Sequence, residues 1–380
     1  MSDITIIYGT NAVEMTIALL RDAAVDKRLD SGMNVVIKPN LVVAKPASEG
    51  ATTHPEIVEG IVLFLKEHGI KSPVVAESSW IGETTGRAFE RCGYAALAKK
   101  HGLKLFDAKK DKILQQTAHG LTLGVCETVA NADVLINVPV LKGHCQTTLT
   151  CCLKNMKGCI PDGEKRRYHN IGLHKPIAVL NTILKPDLHV VDGICGDPTF
   201  EEGGKPVTAN RILLGTDPVL LDSYGATLLG YEPTEIDYLR YAAEYGIGKT
   251  FDGSATIREL HVENRPKTNP VGHGDLVRRL AKHIDEQSAC SACYAALIVA
   301  LHHFTTEYRS NNLAEYRSNN LAEYRSNNLA GTPGKIKIGQ GFRSQKCDGL
   351  GVGNCTAGCE RHVPGCPPTA ADIIKELNRH

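Results

Sequence analysis

The chain has 380 residues, 43 Lys and Arg against 42 Asp and Glu, and a formal net charge of +1. That balance excludes a bulk electrostatic hold on nucleic acid or an anionic membrane surface, and one Trp with seven Phe leaves little for base stacking. Thirteen cysteines, an odd number behind an N-terminus ("MSDITIIYGTNAVEM") without a basic-then-apolar leader, argue against a secreted disulfide framework. With no run of 18 apolar residues to span a membrane, the expectation is a cytoplasmic chain that uses its thiols for metal or catalysis.

The first two-thirds alternate strand and helix. "DITIIYG" (3–9) predicts a strand and 11–29 a helix. "NVVIKPN" (34–40) is a continuous apolar run stopped by Pro39, the pattern of a buried parallel strand. Thr53 as N-cap and Pro55 in the first turn start a helix over 54–68. A strand at "PVVAES" (73–78) and a helix at "TGRAFERCGYAALAKKHG" follow. Then come a strand and loop in "DVLINVPVLKGH", a helix near 148–157, and a helix in "PIAVLNTIL". "DLHVVDG" and "RILLGTDP" are strands, and "PVLLDSYGATLLG" is a helix. The alternation predicts an α/β domain over 1–265, a mostly parallel sheet with helices on both faces.

"NRPKTNPVGHG" (264–274) reads as a linker to a second region, 275–380. There the pattern predicts one long helix, about 275–304, with a CxxC inside it. "EYRSNNLA" then occurs three times, at 307, 315 and 323. Its eight-residue period fits neither a strand nor a heptad, so 307–330 reads as a surface insertion. A Gly- and Cys-rich tail and a Pro-started helix, "PPTAADIIKELNRH", close the chain.

Two constellations carry chemistry. The tail holds Cys347, Cys355, Cys359 and Cys366, and the CxxC adds Cys290 and Cys293. Surrounding glycines let backbone amides approach sulfur, and Pro367 follows Cys366 as proline follows a terminal cluster ligand. The expected ligands of a 4Fe–4S cluster are Cys290, Cys293, Cys355 and Cys366, with Cys359 as substitute; zinc is the alternative metal. Cys145, Cys151, Cys152 and Cys159 suit a second metal less well. Cys151 and Cys152, adjacent on a predicted helix, would point about 100° apart, which favours core packing. "GVGNC" and "IGQGF" lack the strand-to-helix context of a phosphate loop.

The second constellation lies at the carboxyl ends of the predicted strands, where open α/β sheets bind ligands. Those ends carry Lys38 and Asn40, then Glu77, Ser78 and Ser79, then Lys142 and His144, then Asp192. Lys154, Lys157, Arg166, Arg167, His169 and His174 follow nearby in sequence. The set implies an anion site for a carboxylate or phosphate. His144 and Lys142 are the expected catalytic pair, and Lys38, Asn40, Glu77, Lys154 and Lys157 the expected substrate-binding residues.

"VVIKPNLV", "TTHPEIVEGIV", "CCLKNMKGCIP", "HVVDGI" and "LLGTDPVLLDSYGATLLG" together resemble the family known as domain of unknown function 362. The resemblance covers about residues 1–265 and continues into the tail. It implies a cytoplasmic, cluster-bearing protein of anaerobic-type redox metabolism. Members often end in a two-cluster ferredoxin-like module, but the cysteine spacing here departs from that run. "ADVLINVPVLKGH" with "LKNMKGCIPDG" is also similar to lactate racemases, which implies proton transfer by His144 and an anion or cofactor site at Lys154 or Lys157. The expectation is an iron–sulfur enzyme of a small anionic molecule, oxidoreductase or isomerase-like, with a ferredoxin-type electron partner. A non-catalytic electron carrier and a protein with a structural zinc are the alternatives.

Overall fold

The computed structural model describes residues 3–267, 269, 274–311 and 335–379, with the side chains of 274–275 and 305–311 outside that description. The chain divides into two compact units, Met1–Tyr168 with Leu173–Gly272, and His169–Gly172 with His273–His380.

The first unit holds β1 (Ile4–Tyr8), β2 (Val35–Pro39), β3 (Val74–Glu77), β4 (Lys104–Asp107), β5 (Ile113–Ala118), β6 (Leu121–Cys126), β7 (Val134–Val138), β8 (Lys142–His144), β9 (Thr148–Thr150), β10 (Leu188–Gly196), β11 (Val207–Gly215) and β12 (Ile257–Leu260). Eight of them form one sheet in the order β12-β1-β11-β10-β7-β2-β3-β4. Only β11 runs antiparallel to its neighbours, because the loop 197–206 joining it to β10 is too short for a crossover helix. The strands bury both faces by alternation. Ile4, Ile6, Val36 and Val191 face the core that includes helices His174–Ile183 and Pro218–Leu228. Ile7, Val35, Ile37 and Val190 face the core of Ala12–Asp22 and Pro55–Glu67.

Local signals were over-extended in four places. The helix expected over 11–29 ends at Asp22 and gives way to a 3-10 turn at Val25–Arg28. The helix expected over 85–102 is two, Thr85–Arg91 and Tyr94–His101, broken at Gly93 with φ +84°. The helix expected near 148–157 begins as β9 and becomes helical at Cys152–Asn155. The long helix expected over 275–304 is also two, Gly274–Ala281 and Ser291–Asn311, with strand β13 (Ile284–Glu286) between them. Ile284 lies in register with Ile336 of a strand in the tail, a pairing that helical periodicity cannot see. Ser288 at φ +57° then stops helical continuation.

In the second unit β13, β14 (Ile336–Ile338), β15 (Cys347–Val352) and β16 (Cys359–Val363) form a four-stranded parallel sheet in that order. Helices Ser291–Asn311 and Ala370–Leu377 pack on one another. The EYRSNNLA repeat enters the end of the first of these helices, and its later copies lie outside the described residues. Among the described residues no helix is long and apolar enough to cross a membrane.

Candidate functional site

At the carboxyl end of β2, Lys38 pairs with Glu77 from the end of β3 at 2.9 Å, both side chains buried. Lys38 also donates to the Pro39 carbonyl (2.6 Å), while Glu77 accepts from the Leu41 and Ser78 amides (both 2.7 Å). The pair therefore ties two strand ends together. Beside it runs an asparagine ladder. Asn40 Nδ2 donates to Asn155 Oδ1 (2.9 Å), Asn155 Nδ2 to Asn137 Oδ1 (2.7 Å), and Asn137 Nδ2 to the Cys152 carbonyl (2.9 Å).

The neighbouring cluster is built on the hairpin β8–β9 and the loop after β10. Lys142 is fully buried and donates to the carbonyls of Ala51 (2.5 Å) and Glu201 (2.9 Å) and to Asn40 Oδ1 (3.3 Å). Burial lowers its ammonium to about 8. His144 Nδ1 accepts the Gln146 and Thr147 amides, each at 3.0 Å, so the neutral ring carries its hydrogen on Nε2. Nε2–H donates to Glu201 Oε2 at 2.9 Å. Burial, with Lys154 and Lys157 nearby, pushes the imidazole down to about 4. Lys154 forms an ion pair with Glu201 Oε1. Burial opposes ionisation of Glu201, yet Lys154 and His144 hold it well below the usual carboxylate range. Its neighbour Glu202 goes the other way. Burial and the Glu201 charge push it up to about 7, and its buried Oε1 has no hydrogen-bond partner among the described residues. The half-buried Cys145 thiol adjoins these acids, and burial raises it well above its usual range.

The structure thus brings Asn40, Lys142, His144 and Lys154 together, with half-buried Lys157 near His144. Lys38 and Glu77 are committed to each other. Asp192 accepts from the His54 amide and pairs with its ring, both at 2.8 Å, and Arg167 turns to Glu164 at 2.7 Å. Glu201 and Glu202 are the residues that sequence reasoning passed over; the available signal was "FEEGG", paired acids in a Gly-rich loop just past a strand end.

Cys151 and Cys152 are not splayed apart. Cys151 precedes the helix, the sulfurs are 3.8 Å apart, and with Asp222 they form a buried set of ligand atoms within 4.8 Å of one another. Asp222 already accepts the Cys152 (2.6 Å) and Leu153 (3.1 Å) amides. A cavity of ≈ 400 Å³ opens at the amino ends of β1 and β10, lined by Asp3, Arg28, Asp217, Lys249 and Asp252 among others, away from the strand-end cluster.

In the second unit Cys347 and Cys359 form a disulfide, and Cys290, Cys293, Cys355 and Cys366 are not disulfide-bonded. Burial raises Cys293 to about 12, and Cys290, Cys366 and Cys355 all lie near enough to add to the shift. Arg343 Nε donates to Cys355 Sγ at 3.4 Å and Gln340 Nε2 to Cys290 Sγ at 3.8 Å. Gly353, at φ +89°, lies against Cys293, and a Cβ there would sit 3.6 Å from its Sγ. Four converging thiols, N–H donors aimed at sulfur and a glycine-lined approach fit a thiolate-held metal group.

A family model for a domain of unknown function, DUF362, matches residues 35–227, half of the chain. The chain belongs to this family. The matched region holds the whole strand-end cluster, from Lys38 to Glu202, and none of the four second-unit thiols. A thylakoid-associated protein of Synechocystis sp. is 26% identical over 226 residues, which is 58% of this chain and 70% of that protein. Among solved structures, the lactate racemase apoprotein of Thermoanaerobacterium thermosaccharolyticum is similar with TM-score 0.40 and 12% identity, over 59% of this chain and 57% of that one. A Thermotoga maritima protein is similar with TM-score 0.36 and 11% identity, over 62% and 60%. The chain covers less than two thirds of either solved structure.

Proposed function

We propose that this chain is an iron–sulfur enzyme acting on a small carboxylate or phosphate. The observation that carries the reading is the strand-end cluster, where Lys142, His144 and Lys154 converge on Glu201 while the adjacent Glu202 stays poised near neutrality. Buried cations beside a carboxyl shifted toward neutral pH are the materials of anion binding with proton transfer. Lys154 and Lys157 would hold the anion as it displaces part of the Glu201 charge. His144 has only Nε2–H to offer and would donate a hydrogen bond, while Glu202 would take and return the proton.

Cys290, Cys293, Cys355 and Cys366 would hold a 4Fe–4S cluster, which when bound supplies one-electron redox chemistry. Spacing supports a cluster over one zinc ion. Tetrahedral zinc–thiolate bonds of about 2.3 Å put sulfurs about 3.8 Å apart. Among the described residues the one set of ligand atoms packed within 4.8 Å is Cys151, Cys152 and Asp222, so no three of these four sulfurs are that tight. A ferredoxin-class carrier fits as electron partner, and the free thiols suit a reducing cytoplasm.

The test is iron and sulfide content of anaerobically purified protein with an EPR spectrum, alongside thermal-shift screening of small carboxylates and phosphates. The expected result is four iron and four sulfide per chain and a stabilising anion whose effect disappears in K154M. Stoichiometric zinc in colourless protein would sink the cluster. Cluster without any anion response would leave an electron carrier and sink the enzyme reading.

A further inference from the structure

Of the thirteen cysteines, two are joined in a disulfide, Cys347–Cys359, and eleven stand outside it. A chain that keeps eleven thiols and closes one bond is not stapled by a disulfide framework. The position of the bond points the same way. Its cysteines sit directly opposite each other on adjacent parallel strands already joined by the β15–β16 ladder, with a sequence separation of only 12. In the folded chain the bond joins two strands that the β15–β16 ladder already holds side by side. β16 is the edge strand of its sheet. Cys347 is half-buried, flanked by exposed Lys346 and Asp348, whereas Cys359 is buried. Cys347 is thus the more exposed residue of the pair.

Gly351 and Gly353, at the end of β15, connect the bond to the four-thiol site. A Cβ on Gly351 would meet Cys359 Sγ at 2.9 Å, and one on Gly353 would meet Cys293 Sγ at 3.6 Å. Cys355 lies in the turn between the two bonded cysteines and accepts from Arg343.

We propose that Cys347–Cys359 is a reversible dithiol–disulfide couple that exchanges electrons with an external dithiol carrier, set beside the four-thiol site. The carrier's thiolate attacks Cys347 Sγ. A carrier–Cys347 bond forms as the Cys347–Cys359 bond breaks, and Cys359 leaves as thiolate and takes a proton. The carrier's second thiol then attacks the mixed disulfide, releasing Cys347 and closing the carrier's own disulfide. Two electrons and two protons pass from carrier to pair, and the reverse sequence reduces a disulfide substrate. The couple itself needs no metal.

The experiment is alkylation of the native full chain under non-denaturing conditions, followed by non-reducing peptide mass spectrometry. The expected result is a Cys347–Cys359 linked peptide that dithiothreitol opens without denaturant, with a gain of two alkylated thiols per chain. Cys92, Cys126 and Cys159 in the first unit should stay unlabelled. With the pair reduced, oxidised glutathione should trap a mixed disulfide at Cys347 in C359S, and at least tenfold less at Cys359 in C347S. A pair that opens only in denaturant, or one that never closes, overturns the proposal. Iron content of the C347S/C359S double variant separates this couple from the cluster. Unchanged iron with exchange lost supports it, whereas lost iron means that these two cysteines are ligands and overturns it. Wild type without iron but with exchange intact supports the couple and sinks only the cluster.

Discussion

His144 and Glu202 show how one buried pocket pushes neighbouring groups in opposite directions. Burial disfavours charge on both, so the imidazole falls to about 4 and the carboxyl rises to about 7. The raised Glu202 makes the folded chain bind more protons than the unfolded one between pH 4.5 and about 7. Its contribution to stability is full below pH 4.5 and is lost as pH rises through about 7. E202Q should therefore flatten that decline, a gain on the order of 1–2 kcal/mol at pH 7.5 relative to wild type once partial solvent screening is allowed for. Urea unfolding across pH reads it directly, and a parallel wild-type and variant curve would sink the assignment. Lys38 tests a different point. Removing one member of a buried pair strands the other, so K38M should cost about 3–5 kcal/mol, and K38M/E77Q should recover part of it.

At the scale of the element, the hairpin β8–β9 holds the site by a close backbone approach. Gly143 lies between Lys142 and His144 and donates its amide to the Asp197 carbonyl at 2.8 Å. A Cβ there would overlap the Pro198 backbone. G143A should push β8 away from the loop carrying Glu201 and cost about 1–3 kcal/mol by overpacking. It should also release Glu201 from His144, which carboxylate NMR of the variant would report as a titration moved back toward the ordinary range. A stable G143A with that titration unchanged would show that the loop, not the hairpin, sets the geometry. Strand and helix positions in this unit are legible in the sequence because burial on both faces writes continuous apolar runs into β2, β3 and β7. The breaks inside helices are less so. Gly93 stands within an otherwise helical pattern, and only its φ of +84° shows that the helix stops there.

Across the whole molecule the two units draw on different sources of stability. The first has two extensive apolar cores, whereas the second adds a four-thiol site to a smaller set of buried apolar side chains that includes Leu297, Ile298, Ile336, Ile338 and Ile373. Metal held by thiolates contributes folding free energy where it binds. On the proposed cluster, anaerobic iron chelation, or C293S, should bleach the protein and lower the unfolding transition of the second unit while the first keeps its own. Two-probe thermal unfolding checks this, and a single transition that shifts as one would show that the units melt together.

The alternation of strand and helix, the cysteine-rich tail and the cations at strand ends are legible along the chain. Each of these is written in local period or local composition, which a linear reading recovers. The partners are set by the fold. Glu201 meets Lys154 and His144 across 47 and 57 positions, and Lys38 meets Glu77 across 39. Of six tail-region cysteines it joined Cys347 to Cys359 and gathered the other four. Those choices depend on which strands lie side by side and how loops return to their ends. Sheet order is settled by packing the whole chain at once, so no stretch of residues carries that information alone.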